Sequence, residues 1–206
     1  MSTPGEDTRR LASMLADRAD HESVTTARLA GTDDAVADLE SAVVTHLVPG
    51  ERPMFCFECH DSGVGLGEPE ATVEPERGGI YCVTDRRVYV QLGLPDDDES
   101  LSVRHCEVSG VRYREGRRHH RLDLAASDTM YFLWVSANAD PAAVARAAEY
   151  VTSQSDAESP ETDTEDERSS GESSLSDRLE RLGDAKSRGL IDDDEFQRRK
   201  DRLLDE

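Results

Sequence analysis

The chain has 206 residues, of which 36% are apolar, and its 45 acidic and 24 basic side chains give a formal net charge of -21. This length predicts one or two domains. The longest apolar run, Met130 to Val135, has six residues, which excludes a helix that spans a membrane.

The excess of acidic residues indicates a high-salt environment more than a basic binding partner. Lys186 and Lys200 are the only lysines, and the remaining basic residues are arginines. A surface rich in Asp and Glu and nearly free of lysine is typical of halophile-type proteins, because strong screening tolerates such self-repulsion. The Arg9-Arg10 pair is not followed by an apolar stretch, which argues against a secretory signal. We therefore expect a cytoplasmic protein with reduced cysteines.

Residues 1–47 are predicted to form an N-terminal helical segment. Leu11, Met14 and Leu15 have the spacing of one helix face, within a helix over residues 7–20. Thr32 can cap a second helix, whose apolar stripe consists of Val36, Leu39, Val43 and Leu47. This stripe needs a surface to cover it, and the next domain and a second copy of the chain are both candidates.

Residues 48–151 alternate between apolar and polar side chains in short runs, the pattern of half-buried strands. The clearest runs lie in Gly78–Leu92, where Thr84-Asp85-Arg86-Arg87 forms a turn that we expect Asp85 to start. About seven strands are predicted, with a bulge at Gly110 and a flexible connection at the glycines of residues 63–67.

A helix closes this region, with Asp140 as its cap and Pro141 at its first position. Its apolar face consists of Val144, Ala147, Ala148 and Val151. Many strands followed by one amphipathic helix predict an α+β fold, a bent β-barrel with a C-terminal capping helix.

Residues 152–174 are almost wholly Ser, Thr, Asp, Glu and Pro, a composition typical of a disordered acidic linker. Residues 175–206 become periodic again and predict two short helices that meet near Gly189. Helices of this length with few apolar side chains are marginal alone. The C-terminal hairpin therefore needs a partner surface.

The C-terminal segment resembles the SHOCT (short C-terminal) domain. The resemblance covers a leucine-bearing helix, a Gly-Leu-Ile step, an acidic stretch, Glu-Phe and a final Leu-Leu. It implies a helical hairpin that docks onto a partner or a second copy, without catalytic residues. The matching apolar residues, which we predict to mediate docking, are Leu179, Leu182, Leu190, Ile191, Phe196, Leu203 and Leu204.

The region of residues 48–151 resembles bacterial PH-like domains. The matching pieces are Leu47–Glu51, Gly79–Val90 and Val108–Val111. This resemblance implies a seven-stranded bent barrel with a C-terminal helix. It implies no particular ligand, because relatives with this fold bind lipid headgroups, peptides or other proteins.

A basic cluster spans a predicted hairpin and is the candidate anion-binding site. Its arginines could bind phosphate groups, or they could pair with the nearby acids Glu107, Glu115 and Asp123. Tyr113 is the one aromatic residue inside the cluster, so nucleic acid is disfavoured relative to an anionic membrane surface. The cluster consists of Arg112, Arg114, Arg117, Arg118 and Arg121.

Cys56 and Cys59 have the spacing of a haem attachment motif and could also contribute to a zinc site. In a strand, however, residues three apart point to opposite faces, so the two side chains should diverge. We expect small apolar side chains and no cofactor.

The sequence thus predicts a non-enzymatic interaction or adaptor protein, whose C-terminal hairpin mediates oligomerisation or partner docking. Peripheral binding to an anionic membrane through residues 112–121 is the alternative, and zinc binding is the third hypothesis.

Overall fold

The computed structural model describes residues 4–127 and 129–158. The N-terminal region contains helices α1 (Pro4–Ala16) and α2 (Thr26–Leu29) and a 3₁₀ turn (Val43–His46). Eight strands follow, with a second 3₁₀ turn (His105–Glu107) between β5 and β6, and α3 (Pro141–Glu158) ends the described part. The strands are β1 (Pro53–Leu66), β2 (Thr72–Val73), β3 (Gly79–Thr84), β4 (Arg87–Gly93), β5 (Asp98–Arg104), β6 (Val108–Arg114), β7 (His119–Ala126) and β8 (Thr129–Ser136).

The strands form one antiparallel sheet in the order β5-β4-β3-β1-β8-β7-β6, with β2 beside β1. Strand β1 belongs to both halves, since its first part pairs with β3 and its last part with β8. The sheet bends around one core as a partly open barrel. The predicted α+β class, with a bent antiparallel sheet and a C-terminal helix, is confirmed. Strand β2 has only two residues, and the observed eight strands agree with the prediction of about seven.

The bend in β1 lies where the sequence predicted a flexible glycine connection. The register shifts between Cys59 and Val64, and Gly63 has a φ of 62°. A Cβ atom at Gly63 would lie 1.8 Å from the Val73 carbonyl oxygen. Glycine therefore lets the strand turn from one half of the sheet to the other. The predicted bulge at Gly110 is confirmed by a register shift in the β6–β7 pairing.

Helix α3 covers one end of the core. The Asp140 carboxylate accepts a hydrogen bond from the Ala142 N–H at 3.2 Å, as predicted for the cap. The apolar face is buried against the core, with Val144 and Ala147 fully inaccessible. The helix continues to Glu158, whereas the predicted linker begins at residue 152. No described helix has both the length and the apolar character needed to cross a bilayer.

The predicted helix with the stripe from Val36 to Leu47 is wrong. This segment is irregular except for its 3₁₀ turn, because distant donors take the backbone carbonyls that a helix would need. Arg77 donates to the Asp38 carbonyl, Gln91 to the Ser41 carbonyl and Arg87 to the His46 carbonyl. The segment is thereby bound to the outer face of the sheet.

The apolar residues of the N-terminal segment still become buried. Val36, Val43 and Val44 pack with Cys56 and Ile80 in a second cluster on the outside of β1, β3 and β4. The barrel, the first of the two candidate surfaces, therefore covers Val36, Leu39 and Val43 of the predicted stripe, whereas Leu47 stays partly exposed. We call residues 20–47 the N-terminal cover.

The β3–β4 turn depends on Thr84 and not on Asp85. The Thr84 Oγ1 accepts hydrogen bonds from the N–H groups of Arg86 and Arg87 at 3.1 and 3.0 Å. The Asp85 carboxylate instead accepts two bonds from Arg52, at 2.9 and 3.1 Å. The threonine hydroxyl fulfils the local role that the sequence assigned to the aspartate.

Candidate functional site

Cys56 and Cys59 lie on opposite faces of β1, as the strand geometry predicts. Cys56 belongs to the cluster under the N-terminal cover, whereas Cys59 belongs to the barrel core. The Cys59 sulfur lies 2.9 Å from the Tyr81 hydroxyl, and burial raises the pKa of this thiol to about 12. The two cysteines therefore cannot bind the same metal ion. Within residues 4–127 and 129–158, no three His, Cys, Asp or Glu side chains gather as a metal site.

Arg87, in the hairpin formed by β3 and β4, has a structural role. Its guanidinium binds the Glu51 carboxylate through two hydrogen bonds of 2.8 and 3.0 Å. The Glu51 side chain is fully buried and also accepts bonds from the Val48 N–H and the Thr84 hydroxyl. Burial would raise the pKa of Glu51, but these hydrogen bonds outweigh it and lower the pKa. Arg87 is therefore not available to a ligand.

The predicted basic cluster lies on the hairpin formed by β6 and β7, and the structure divides it into two groups. Arg114 and Arg121 are opposite each other across the strands, and both bind the Asp123 carboxylate, at 2.7 and 2.6 Å. Asp123 is only 5% exposed. Arg121 also lies over the rings of Phe132 and Trp134, at 5.2 and 4.7 Å from their centroids. Arg114 and Arg121 are therefore already paired with an internal carboxylate.

Arg112, Arg117 and Arg118 make up the second group. All three are exposed, and none forms an ion pair with another described residue. Next to them, burial and then the positive charges of His60 and Arg121 lower the pKa of His119. We call Arg112, Arg117 and Arg118 the free arginines. They can bind an anion without first breaking an internal ion pair.

A ring cluster beside the hairpin was missed by the sequence reading. The His119 ring lies 4.9 Å from the His60 ring and 4.6 Å from the Trp134 ring, both at edge-on angles. Trp134 is opposite Arg121 in the β7–β8 pairing. The alternation along β8 could have placed Trp134 on the outer face, but its partners depend on register, which a single strand does not reveal.

An apolar groove lies between α1 and the chain that enters β1. Leu11 and Met14 are each 41% exposed and Val48 is 44% exposed, and the groove has a volume of about 490 Å³. The predicted helix face is thus only partly covered. Leu15 packs toward the second cluster, whereas Leu11 and Met14 stay partly exposed. The wall is mostly apolar, with Arg18, Asp20 and Arg52 among its lining residues, and it suits another apolar surface better than a charged small molecule.

Comparison with known proteins identifies one segment clearly. The SHOCT family, described as the short C-terminal domain, matches residues 177–204, which confirms the resemblance at the C-terminus. The predicted docking residues, from Leu179 to Leu204, lie outside the described part of the structure. No curated protein matches the chain.

Among solved structures, the chain is similar to the Vps36 N-terminal PH domain, with 20% sequence identity and a TM-score of 0.39. The match covers 51% of this chain and 82% of that chain. The similarity is too low for an argument about ligands or partners. The antiparallel strand order and the C-terminal helix define the barrel.

Proposed function

We propose that the protein is a non-enzymatic adaptor whose C-terminal segment mediates self-association or docking to a protein partner. The match of the short C-terminal domain to residues 177–204 supports this role. The matched range includes every apolar residue predicted to dock, within a chain that is otherwise highly charged. Short helices with few apolar residues gain stability when a partner surface covers those residues.

The test compares the full chain with a chain that ends at Glu161. This end point keeps all of α3, whereas an end at Glu149 would remove Val151 from the core. Multi-angle light scattering over a concentration series, at low salt and in molar salt, should show a larger mass per particle for the full chain only. Equal single-chain masses would remove self-association and leave a protein partner as the remaining form of the proposal.

A second candidate function is peripheral binding to an anionic membrane surface. The free arginines support it, because they are exposed and unpaired within the described residues in a chain of net charge -21. Nucleic acid is a poorer match, since the Tyr113 hydroxyl lies 3.0 Å from His120 and its ring packs against the core. Base stacking needs an exposed ring.

The chain offers a matched control for this candidate. Arg117 and Arg118 are adjacent and exposed on the hairpin, and Arg9 and Arg10 are adjacent and exposed on α1. The full chain should pellet with vesicles that contain phosphatidylglycerol and not with neutral vesicles, and less so as salt rises. The R117Q/R118Q variant should lose this pelleting, whereas the R9Q/R10Q variant should keep it. Equal pelleting of both variants would contradict a role for the hairpin.

A further inference from the structure

Two cysteines face each other between the sheet and the N-terminal cover. Cys56 on β1 and Cys82 on β3 are direct partners in the antiparallel pairing, and their sulfur atoms are 3.6 Å apart. Opposed residues in such a pair have Cα atoms roughly 4.5–5.5 Å apart, within the range that a disulfide bond accepts. Both thiols are free and fully buried.

Hydrogen bonds from the N-terminal cover hold the backbone of Cys56 and keep the two thiols buried. The Ser23 hydroxyl accepts a hydrogen bond from the Cys56 N–H at 3.2 Å, and Arg28 donates to the Cys56 carbonyl at 3.0 Å. The contact with Cys56, together with burial, raises the pKa of the Cys82 thiol well above its ordinary value. Because a thiolate is the reactive species, the pair is inert while the cover is in place.

The cover is the weaker of the two layers around these thiols. It consists of one short helix, one 3₁₀ turn and irregular chain. Polar bonds such as that from Gln91 to the Ser41 carbonyl hold it, together with the apolar contacts of Val36 and Val43. Segments of this kind open locally at a lower free energy than a paired sheet does. Cys59, on the opposite face of β1, would stay buried in the barrel core during such an opening.

We propose that Cys56 and Cys82 form a dithiol site that a low-molecular-weight disulfide oxidises to a cross-strand disulfide when the cover opens. One cysteine thiolate attacks a sulfur of the reagent, whose S–S bond breaks and releases one thiol. The second cysteine thiolate attacks the mixed disulfide, forms the Cys56–Cys82 bond and releases the second thiol. The reagent gains two electrons, and the two cysteine protons end on the released thiols.

The experiment uses the full, reduced chain under native conditions with excess oxidised glutathione. The free thiols are then alkylated in denaturant, and tryptic peptides are mapped by mass spectrometry. We expect the peptide of residues 78–86 to become linked to the peptide that contains Cys56, with a mass loss of about 2 Da for the two hydrogens. The link should disappear in C56A and C82A and persist in C59A and C106A. Cys56 and Cys82 recovered as free thiols, with glutathione on Cys106 only, would overturn the proposal.

The role of the cover has its own controls. R28A removes the bond to the Cys56 carbonyl and should speed oxidation about tenfold, whereas R10A on α1 should not. Native alkylation with iodoacetamide should modify Cys56 and Cys82 before Cys59. Equal rates at Cys59 and Cys56 would indicate global unfolding and would overturn opening of the cover as the route.

Discussion

The β3–β4 and β6–β7 hairpins differ in how their arginines are paired. In the β3–β4 hairpin, Arg87 reaches a carboxylate whose side chain is fully buried and is held by three elements of the chain. In the β6–β7 hairpin, one carboxylate, that of Asp123, holds two arginines and the free arginines remain in solvent. Arg87 is thus held in an internal ion pair, whereas three arginines of the β6–β7 hairpin stay exposed beside the two that bind Asp123.

This difference follows from where the carboxylates lie and not from the number of arginines. Glu51 precedes β1 and reaches the turn from a distant part of the sequence, so the ion pair joins two segments. Asp123 lies on β7 itself and reaches only the neighbouring side chains on the same face. Arginines at the tip of the hairpin, Arg117 and Arg118, are beyond its reach.

The largest expected effect comes from removing the Glu51–Arg87 ion pair of the β3–β4 hairpin. E51Q replaces a buried charge and leaves Arg87 without its ionic partner, which should lower the free energy of unfolding by about 3 kcal/mol. Urea unfolding followed by far-UV circular dichroism measures this loss. A loss below about 1 kcal/mol would place this pair with ordinary surface ion pairs.

The second expected effect comes from removing the charge of Asp123, which binds two arginines of the β6–β7 hairpin. D123N leaves Arg114 and Arg121 without a charged acceptor at a site that is nearly buried, and should cost about 2 kcal/mol by the same urea measurement. D96N, at an exposed loop position, is the control and should change stability by less than about 0.5 kcal/mol. An equal effect of the two variants would contradict the assigned role of Asp123.

A smaller effect concerns acid stability. The folded-state pKa of Glu51 is lowered, so its contribution is complete above its ordinary value of 4.5 and is lost as pH falls through the folded-state pKa. The wild-type chain should therefore lose stability on acidification more steeply than E51Q. Urea midpoints measured from pH 6 down to pH 3 give both slopes, and parallel curves would contradict this assignment.

The smallest expected effect on stability comes from replacing exposed arginines of the β6–β7 hairpin. R117Q/R118Q removes two exposed arginines that make no ion pair with a described residue, so unfolding should change by less than about 0.5 kcal/mol. The same variant should lose vesicle pelleting. A large loss of stability would mean that Arg117 and Arg118, like Arg87, have internal partners.

Local patterns predicted the parts of the fold that depend on local physics. Alternation along Gly78–Leu92 predicts β3 and β4, and Asp140 with Pro141 predicts the start of α3. The period of two also predicts that Cys56 and Cys59 diverge. Each of these conclusions needs only residues that are neighbours in sequence.

The errors arise where residues distant in sequence determine the local conformation or the side-chain partners. The apolar spacing from Val36 to Leu47 fits a helix, but side chains of β4 and the chain before β3 bind its carbonyls. The division of the basic cluster depends on side-chain geometry across the β6–β7 pairing, in which Arg112 is opposite Asp123 but Arg114 and Arg121 bind its carboxylate. Neither the carbonyl partners nor the register can be read from one segment alone.

The most direct test of the proposed adaptor role changes only two residues of the C-terminal segment. In the full chain, L203D/L204D places charge where the short C-terminal domain match has two leucines, while D193N is the control in the same segment. Sedimentation equilibrium should give a single-chain mass for L203D/L204D and a larger mass for the wild-type chain and D193N. A wild-type mass above one chain that L203D/L204D leaves unchanged would contradict association through this segment.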